Sequence, residues 1–401
     1  MTAKPRTIHE WKSAIVAVCD RFLPEAIAMS HRLFDLKEVS GKETQSMTVL
    51  TDRLRVAGAN VDIGIADIPT AFRATFGSAT PRLALLAEYD ALPELGHACG
   101  HHLSGVASTF AAIALVEAHG RNSTGSLEVI GTPMEESGGG KILMTERGVF
   151  AGLDGVLMTH TSNETRAAYR TVAAQSFRIV LEADQKDYHW RSRNITDVLV
   201  DALLVLRAVE NRAGVGTQIM WAVPEGGTQS NVVPSRMVVD CSLWSYDEAV
   251  LLRTLDRIRS GVARVVSATK VRVDVDAYEP LYLPLEPSGP LVATFERNLK
   301  FLDIPYEPRQ GRLYDATDIG NVSHVVPTLH ADIVVDASRT HTPEHVAACS
   351  GPAGEQYLRR SMTTLALTVF DLLRDPDDLA RAKRELAQRK LPKELNPGRL
   401  P

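Results

Sequence analysis

Apolar positions in the first 170 residues switch repeatedly between helical and strand spacing. Ile8 to Leu36 and Thr44 to Ala57 carry the three-to-four-residue repeat of helices. Ala71 to Phe76 and Arg82 to Ala87 are short apolar runs that predict strands. Ser104 to Ala118 predicts a buried helix, Gly125 to Gly131 a strand, Lys141 to Arg147 a short helix and Gly155 to Thr159 a further strand. Strands alternating with helices predict a mostly parallel sheet with helices on both faces. The pattern changes near Thr171. Ala174 to Ala183, Gly216 to Val223, Asn231 to Trp244 and Lys270 to Ala277 read as strands, and Asn194 to Asn211 and Asp247 to Val265 as helices. Their order, strand-helix-strand-strand-helix-strand, is that of a ferredoxin-like βαββαβ unit. Prolines 280, 284, 287 and 290 close it, and the alternating pattern resumes with a helix over Leu291 to Leu302, strand signals over Thr328 to Val335 and a long helix from Gly354 to Leu373. The charged end of the chain predicts a surface helix and a tail. The expected organisation is one α/β domain from residues 1–171 and 286–401, interrupted by a second domain over 172–285.

Composition narrows the class. The 401 residues are 44% hydrophobic and 23% charged, with a formal net charge of -5, so nothing suggests a nucleic-acid partner. No apolar run reaches membrane-spanning length, and the N-terminus leads into a charged helix rather than an apolar signal region. Cys19, Cys99, Cys241 and Cys349 are scattered without disulfide-framework spacing, which fits a reducing, cytoplasmic setting.

Chemistry-bearing residues cluster where strands end. After Ala87 comes Glu88-Tyr-Asp90-Ala-Leu-Pro-Glu94-Leu-Gly-His-Ala-Cys99-Gly-His101, a thiol and an imidazole two residues apart before a helix. Glu135 and Glu136 follow the strand ending at Gly131 and precede Gly138, Gly139 and Gly140; two adjacent carboxylates there are costly to bury unless paired or bound to metal. His160 ends an apolar strand, and His341 opens His-Thr-Pro-Glu-His345. Asp315 to His324 is a polar loop of the kind that lines a pocket. Cysteine, histidine and glutamate donors together suit zinc, manganese or cobalt. A spare carboxylate beside them can act as general base on a metal-activated water, whose pKa drops from about 16 towards about 7.

These segments resemble the amidohydrolase branch of the metal-dependent aminoacylase/carboxypeptidase metallopeptidases, the branch of hippurate hydrolase and p-aminobenzoyl-glutamate hydrolase. The matching stretches are Glu88 to His101, Gly131-Thr-Pro-Met-Glu-Glu136, Gly139-Gly-Lys-Ile-Leu-Met144, Glu225-Gly-Gly-Thr-Gln-Ser-Asn-Val-Val-Pro234, Thr317 to His324 and His341-Thr-Pro-Glu344. The resemblance implies that Cys99, His101, Glu136, His160 and His341 ligate one or two divalent metals, that Glu135 is the general base, and that Asp90 orients a ligand. It also implies a dimerisation and lid role for the inserted domain, with Asn231 on its substrate-facing edge, and a homodimer or higher homo-oligomer acting on a small molecule. The expected reaction is cleavage of a C–N bond in a small carboxylate-bearing substrate, an aroyl-amino acid or dipeptide amide.

One departure leaves an alternative open. The family's lid histidine, an oxyanion donor, precedes a helix that here begins Asn194-Ile-Thr-Asp197, but the upstream stretch Glu182 to Trp190 does not match. Either Tyr188 or His189 substitutes for it, or the transition state differs, as in a family member that hydrolyses 5-nitroanthranilate to 5-nitrosalicylate by nucleophilic aromatic substitution. Tyr188, Tyr246, Arg191, Arg193 and Arg312, with His324, are candidates to hold the substrate's polar groups. Two other classes stay in view: a cysteine hydrolase using Cys99 with His101, which leaves Glu135, Glu136 and His160 idle, and a non-catalytic metal-binding protein, against which the intact Glu135 argues.

Overall fold

The structure is a computed structural model and describes residues 6–120, 125–184, 193–308 and 311–389. The chain divides into two compact units, one of residues 1–170, 286–312 and 321–401, the other of residues 171–285 and 313–320.

The first unit begins with helices α1 (Ile8–Leu36) and α2 (Thr44–Val56), strands β1 (Asn60–Ile63), β2 (Phe72–Phe76) and β3 (Arg82–Ala87), helix α3 (His101–His119), strand β4 (Ser126–Gly131), helix α4 (Gly140–Glu146), and strands β5 (Gly155–Ser162) and β6 (Tyr169–Arg170). The second unit holds β7 (Ala173–Glu182), α5 (Ile195–Ala213), β8 (Thr217–Glu225), β9 (Arg236–Ser245), α6 (Glu248–Val266) and β10 (Arg272–Ala277). The chain then returns to the first unit with α7 (Gly289–Phe301), β11 (Gly311–Arg312), α8 (Ile319–Ser323, which starts in the second unit), β12 (Thr328–Val334), α9 (Pro343–Cys349), α10 (Pro352–Arg374) and α11 (Pro376–Gln388).

The six-stranded sheet of the first unit has the order β1-β2-β4-β3-β5-β12. Strands β4, β3, β5 and β12 run parallel, and only the β1-β2 and β2-β4 pairs are antiparallel. Parallel strands need both faces covered, which is why β3 reads as a continuous apolar run from Leu83 to Ala87 and why β4 is buried along its whole length, its Glu128 paired with Arg73 and Arg82. Helix α3 packs on β3, β4 and β5 and is itself covered by α1 and α10. Every residue from His101 to Leu115 is buried, which explains a helix apolar around its whole circumference. The chain passes from β3 to β4 on one side of β3 and then to β5 on the other. Such a reversal opens a crevice at the carboxyl ends of the strands, where open α/β sheets bind ligands.

The second unit is antiparallel, with strand order β10-β7-β9-β8, the ferredoxin-like arrangement. Helices α5 and α6 pack on each other and on the sheet, around a core that includes Phe177, Ile179, Val198, Leu206, Leu243 and Ile258. Asn194 caps α5 by accepting from the N–H groups of Thr196 and Asp197, while Asp197 accepts from the N–H of Asn194, a reciprocal capping box.

Several boundaries move. Helix α3 starts at His101, three residues before the apolar run, so its first turn belongs to the polar loop. The strand expected from Asn231 begins only at Arg236, because Pro234 has no N–H to give a ladder and Asn231 lies in an exposed turn. The charged C-terminal stretch forms α11, against α7 and α10.

Candidate metal centre

Four strand ends of the first unit bring the chemistry together. The loop after β3 supplies Asp90 and Cys99 and leads into His101 at the first residue of α3. The loop after β4 supplies Glu135 and Glu136. His160 sits near the end of β5, and His341 lies in the loop after β12. Gly100 makes the turn between Cys99 and His101 possible. It holds φ +69°, and a Cβ there would lie 2.5 Å from the Thr161 side chain. Gly140 has the same function at the carboxylate loop, where a Cβ would lie 1.8 Å from the carbonyl oxygen of Pro133. That loop is also tied down by the buried Glu43, whose carboxylate accepts from the Met134 N–H at 3.0 Å, the Gly41 N–H at 2.8 Å and the Thr70 hydroxyl at 2.9 Å.

The donors converge. One donor atom each from Cys99, His101 and His160 lies within 4.8 Å of the others, and the same holds for Cys99, Glu136 and His341. Two triads sharing a thiol sulfur can hold one or two divalent cations. Cys99 Sγ is 2.8 Å from His341 Nε2, and Glu136 Oε2 is 3.3 Å from the same nitrogen. His341 itself is held at φ +62°, a left-handed conformation unusual for a non-glycine residue, with its N–H donating to the Ala98 carbonyl at 3.0 Å. His160 Nδ1 bonds the Thr161 carbonyl at 2.8 Å, and its ring lies 5.4 Å from that of His101.

Asp90 organises this cluster from behind. His101 Nδ1–H donates to Asp90 Oδ1 at 2.9 Å, while Asp90 Oδ2 accepts from the Ser40 hydroxyl at 2.8 Å and from the Glu136 N–H at 2.9 Å. One buried carboxylate therefore fixes the ring of His101 and the backbone of Glu136, leaving His101 Nε2 as the outward nitrogen. Burial alone would raise the Asp90 carboxyl, but His101 outweighs it and holds the group at about 2. For His101 the opposite balance holds: burial disfavours its charge, and Asp90 with Glu88 carries it well above the usual histidine value.

The donor set fits a borderline divalent cation. His101 Nε2, Glu136 Oε1 and Glu88 Oε2 are buried without a hydrogen-bond partner among the described residues, and a bound cation is one way such groups are satisfied. Burial, with help from Glu136 and Glu135, pushes the Cys99 thiol well above its ordinary pKa. A lone thiol in that state is a poor nucleophile, and its sulfur also lies 2.8 Å from His341 Nε2, which counts against the cysteine-hydrolase alternative. Glu135 Oε2 stands 3.8 Å from His101 Nε2, and the side chain keeps partial solvent access.

A model of the peptidase family M20/M25/M40 matches residues 84–363, from β3 into α10 and across every residue of this cluster. The chain belongs to that family. A mouse Xaa-Arg dipeptidase is 31% identical over 338 residues, covering 79% of this chain and 78% of the relative. A p-aminobenzoyl-glutamate hydrolase polypeptide of Escherichia coli K12 is 35% identical over 168 residues, 35% of this chain and 34% of that protein. Among solved structures, an aminohydrolase from methicillin-resistant Staphylococcus aureus superposes with TM-score 0.73 at 17% identity, over 90% of this chain and all of that one. A Bacillus subtilis M20 peptidase described as binding a dinuclear metal centre gives 0.63 at 17% identity, over 88% of this chain and 99% of that one. These two share the fold. As an M20 member the chain is a metal-dependent amidohydrolase.

The other candidate residues divide between the two units. Asn231 and Tyr246 belong to the second unit. Asn231 is exposed, and Tyr246 packs edge-on against Tyr314, 5.5 Å between ring centroids. Arg312 is exposed in β11, His324 is buried just past α8, and Arg193 pairs with Asp201. Tyr188, His189 and Arg191 lie outside the described residues. Residues that the motif reading passes over also stand at the cluster. Lys141 is fully buried and donates to Glu88 Oε1 at 2.6 Å. Tyr169 bonds His330 Nδ1 at 2.8 Å, and the His330 ring is 5.8 Å from that of His160. Ser338 bonds His345 Nδ1 at 3.0 Å, His345 Nε2 bonds the Thr161 hydroxyl at 3.1 Å, and that hydroxyl donates to the Cys99 carbonyl at 2.6 Å. This last relay ties the His341 loop to the Cys99 turn.

Proposed function

We propose that the chain hydrolyses the amide bond of a small carboxylate-bearing substrate, a dipeptide or an aroyl-amino acid, at a centre held by Cys99, His101, Glu136, His160 and His341. The observation that carries this reading is the convergence of two donor triads on Cys99, with the Glu135 carboxylate 3.8 Å from His101 Nε2 beside them. The metal, when bound, supplies Lewis acidity for the scissile carbonyl and for the attacking water. Glu135 takes the proton of the nucleophile at its carboxylate and delivers it to the leaving nitrogen. Asp90 keeps His101 in one tautomer throughout, and the Glu43-anchored loop keeps Glu135 and Glu136 in register. Dipeptide and aminobenzoyl-glutamate hydrolysis by the relatives supports amide substrates over the aminoarene alternative. Manganese, zinc and cobalt all suit the donors. The test is to strip the protein with a chelator, reload each metal in turn, and follow a panel of dipeptides, aroyl-amino acids and nitro-aminobenzoates by mass spectrometry. Metal-dependent splitting of an amide into acid and amine is expected; exchange of an aromatic amine for hydroxyl without amide cleavage would contradict the reading.

We further propose that the protein is a homodimer joined through its ferredoxin-like unit. Strand β8 is one of the two edges of that sheet, and α5 exposes Val200 and Leu204 one turn apart. An unpaired edge beside exposed apolar residues is an association surface. Light scattering should give twice the chain mass, and a mass of one chain would sink this. Four unpaired cysteines, all buried, support a reducing cytoplasmic setting, and no described helix is long and apolar enough to cross a membrane.

A further inference from the structure

Glu88 and Lys141 form an ion pair with both side chains at most 1% exposed. Desolvating two charges is expensive, and a well-packed apolar pair of similar size is often as stable or more so, so stability alone is a weak reason for the pair. Its geometry is lopsided. Lys141 engages Glu88 Oε1 at 2.6 Å, whereas Glu88 Oε2 is buried with no hydrogen-bond partner among the described residues. That second oxygen faces His101 Nε2 at 3.6 Å, too far for a hydrogen bond, and His101 Nε2 is itself without one. It is the nitrogen that Asp90 leaves outward by engaging Nδ1. A carboxylate oxygen and an imidazole nitrogen thus stand side by side, both buried and both unsatisfied. Two donors bound to one cation at about 2.1 Å in a tetrahedral arrangement are roughly 3.4 Å apart, close to the spacing seen.

We propose that Glu88 is a further carboxylate of the metal centre, presenting Oε2 to the cation beside His101, and that Lys141 is its built-in counter-charge. The proposal rests on the reading of the Cys99–His101 cluster as the metal centre. The division of labour has a chemical sense. Cys99 and Glu136 already bring negative charge to the centre, and a further bare carboxylate would weaken a divalent cation as a Lewis acid. With Lys141 on Oε1, Glu88 adds a hard oxygen donor at little net charge. An oxygen donor favours manganese more than zinc, which thiolate and imidazole already satisfy.

The test is manganese binding to chelator-stripped protein, read from the EPR signal of the free ion, in the parent and three variants. Glu88→Gln keeps the shape and removes the anionic donor. Glu88→Gln with Lys141→Met removes both charges, so no buried ammonium is orphaned and folding is protected; thermal melting checks each protein. Cys99→Ala reports on the cluster. The expected result is a loss of manganese affinity of about tenfold or more in both Glu88 variants, with a smaller loss for zinc measured by competition. Parent-like affinity in Glu88→Gln, or recovery of parent affinity in the double variant, would overturn the assignment and leave the pair structural. Manganese binding that is absent in the parent, or untouched by Cys99→Ala, would overturn the underlying reading of the cluster and this proposal with it.

Discussion

Replacing Glu135 by glutamine should leave the metal in place and lower turnover by about 10²–10⁴-fold, the range that one positioned general base contributes. Glutamine has the volume and hydrogen-bonding shape of glutamate but cannot take a proton at neutral pH. Glu135 belongs to neither donor triad around Cys99, so its loss removes no ligand from them. Its carboxylate lies 3.8 Å from His101 Nε2, close enough to serve a nucleophile at the centre, and it keeps access to solvent for proton exchange. The measurement is kcat together with metal content on the same sample. Turnover within tenfold of the parent at full metal occupancy would remove Glu135 from the chemistry; loss of metal in step with turnover would make it a ligand instead.

Asp90→Asn should cost about 10–100-fold in metal affinity, the usual effect of losing a group that orients a ligand. Asp90 accepts three hydrogen bonds, from His101 Nδ1, the Ser40 hydroxyl and the Glu136 N–H. An asparagine has one acceptor oxygen and one donor nitrogen to offer them. The Ser40 hydroxyl can rotate to suit either, but the Glu136 N–H can only donate. If the amide oxygen serves Glu136, the NH₂ group faces His101 Nδ1 and forces the proton onto Nε2, the nitrogen needed for the metal. If the oxygen serves His101, the NH₂ group confronts the Glu136 N–H and displaces that ligand's backbone. Either orientation damages one ligand. Metal titration of Asp90→Asn by calorimetry checks this, and an affinity equal to the parent's would show that Asp90 has no hold on the centre.

The sequence makes the fold class legible because two periodicities do not mix. Continuous apolar runs such as Arg82–Ala87 belong to parallel strands covered on both faces, whereas the alternation along Ala173–Glu182 marks a sheet with one face packed. The polar residues at strand ends are legible for a related reason: His160 ends an apolar strand, and Cys99, Glu136 and His341 lie in polar loops that follow apolar strands, where an open sheet places its crevice. Lys141 is not legible in this way. A lysine opening a short helix reads as solvated, and only the glycine loop, drawn against the Pro133 carbonyl, turns it inward onto Glu88. The His345–Thr161 relay and the Tyr169–His330 pair join residues 184 and 161 positions apart, a separation at which no local pattern carries a signal. The very short β6 and β11 escape for the opposite reason, since two residues hold no period.

The most direct measurement is anomalous diffraction from crystals of the protein loaded with manganese or zinc and collected at that metal's absorption edge. The predicted map has one or two peaks bonded to Cys99 Sγ, at about 2.3 Å for zinc, and at about 2.0–2.2 Å from the nitrogen and oxygen donors of His101, Glu136, His160 and His341. Peaks that avoid Cys99 and His101, or a loaded and active protein with no peak at the ends of β3, β4 and β5, would contradict it.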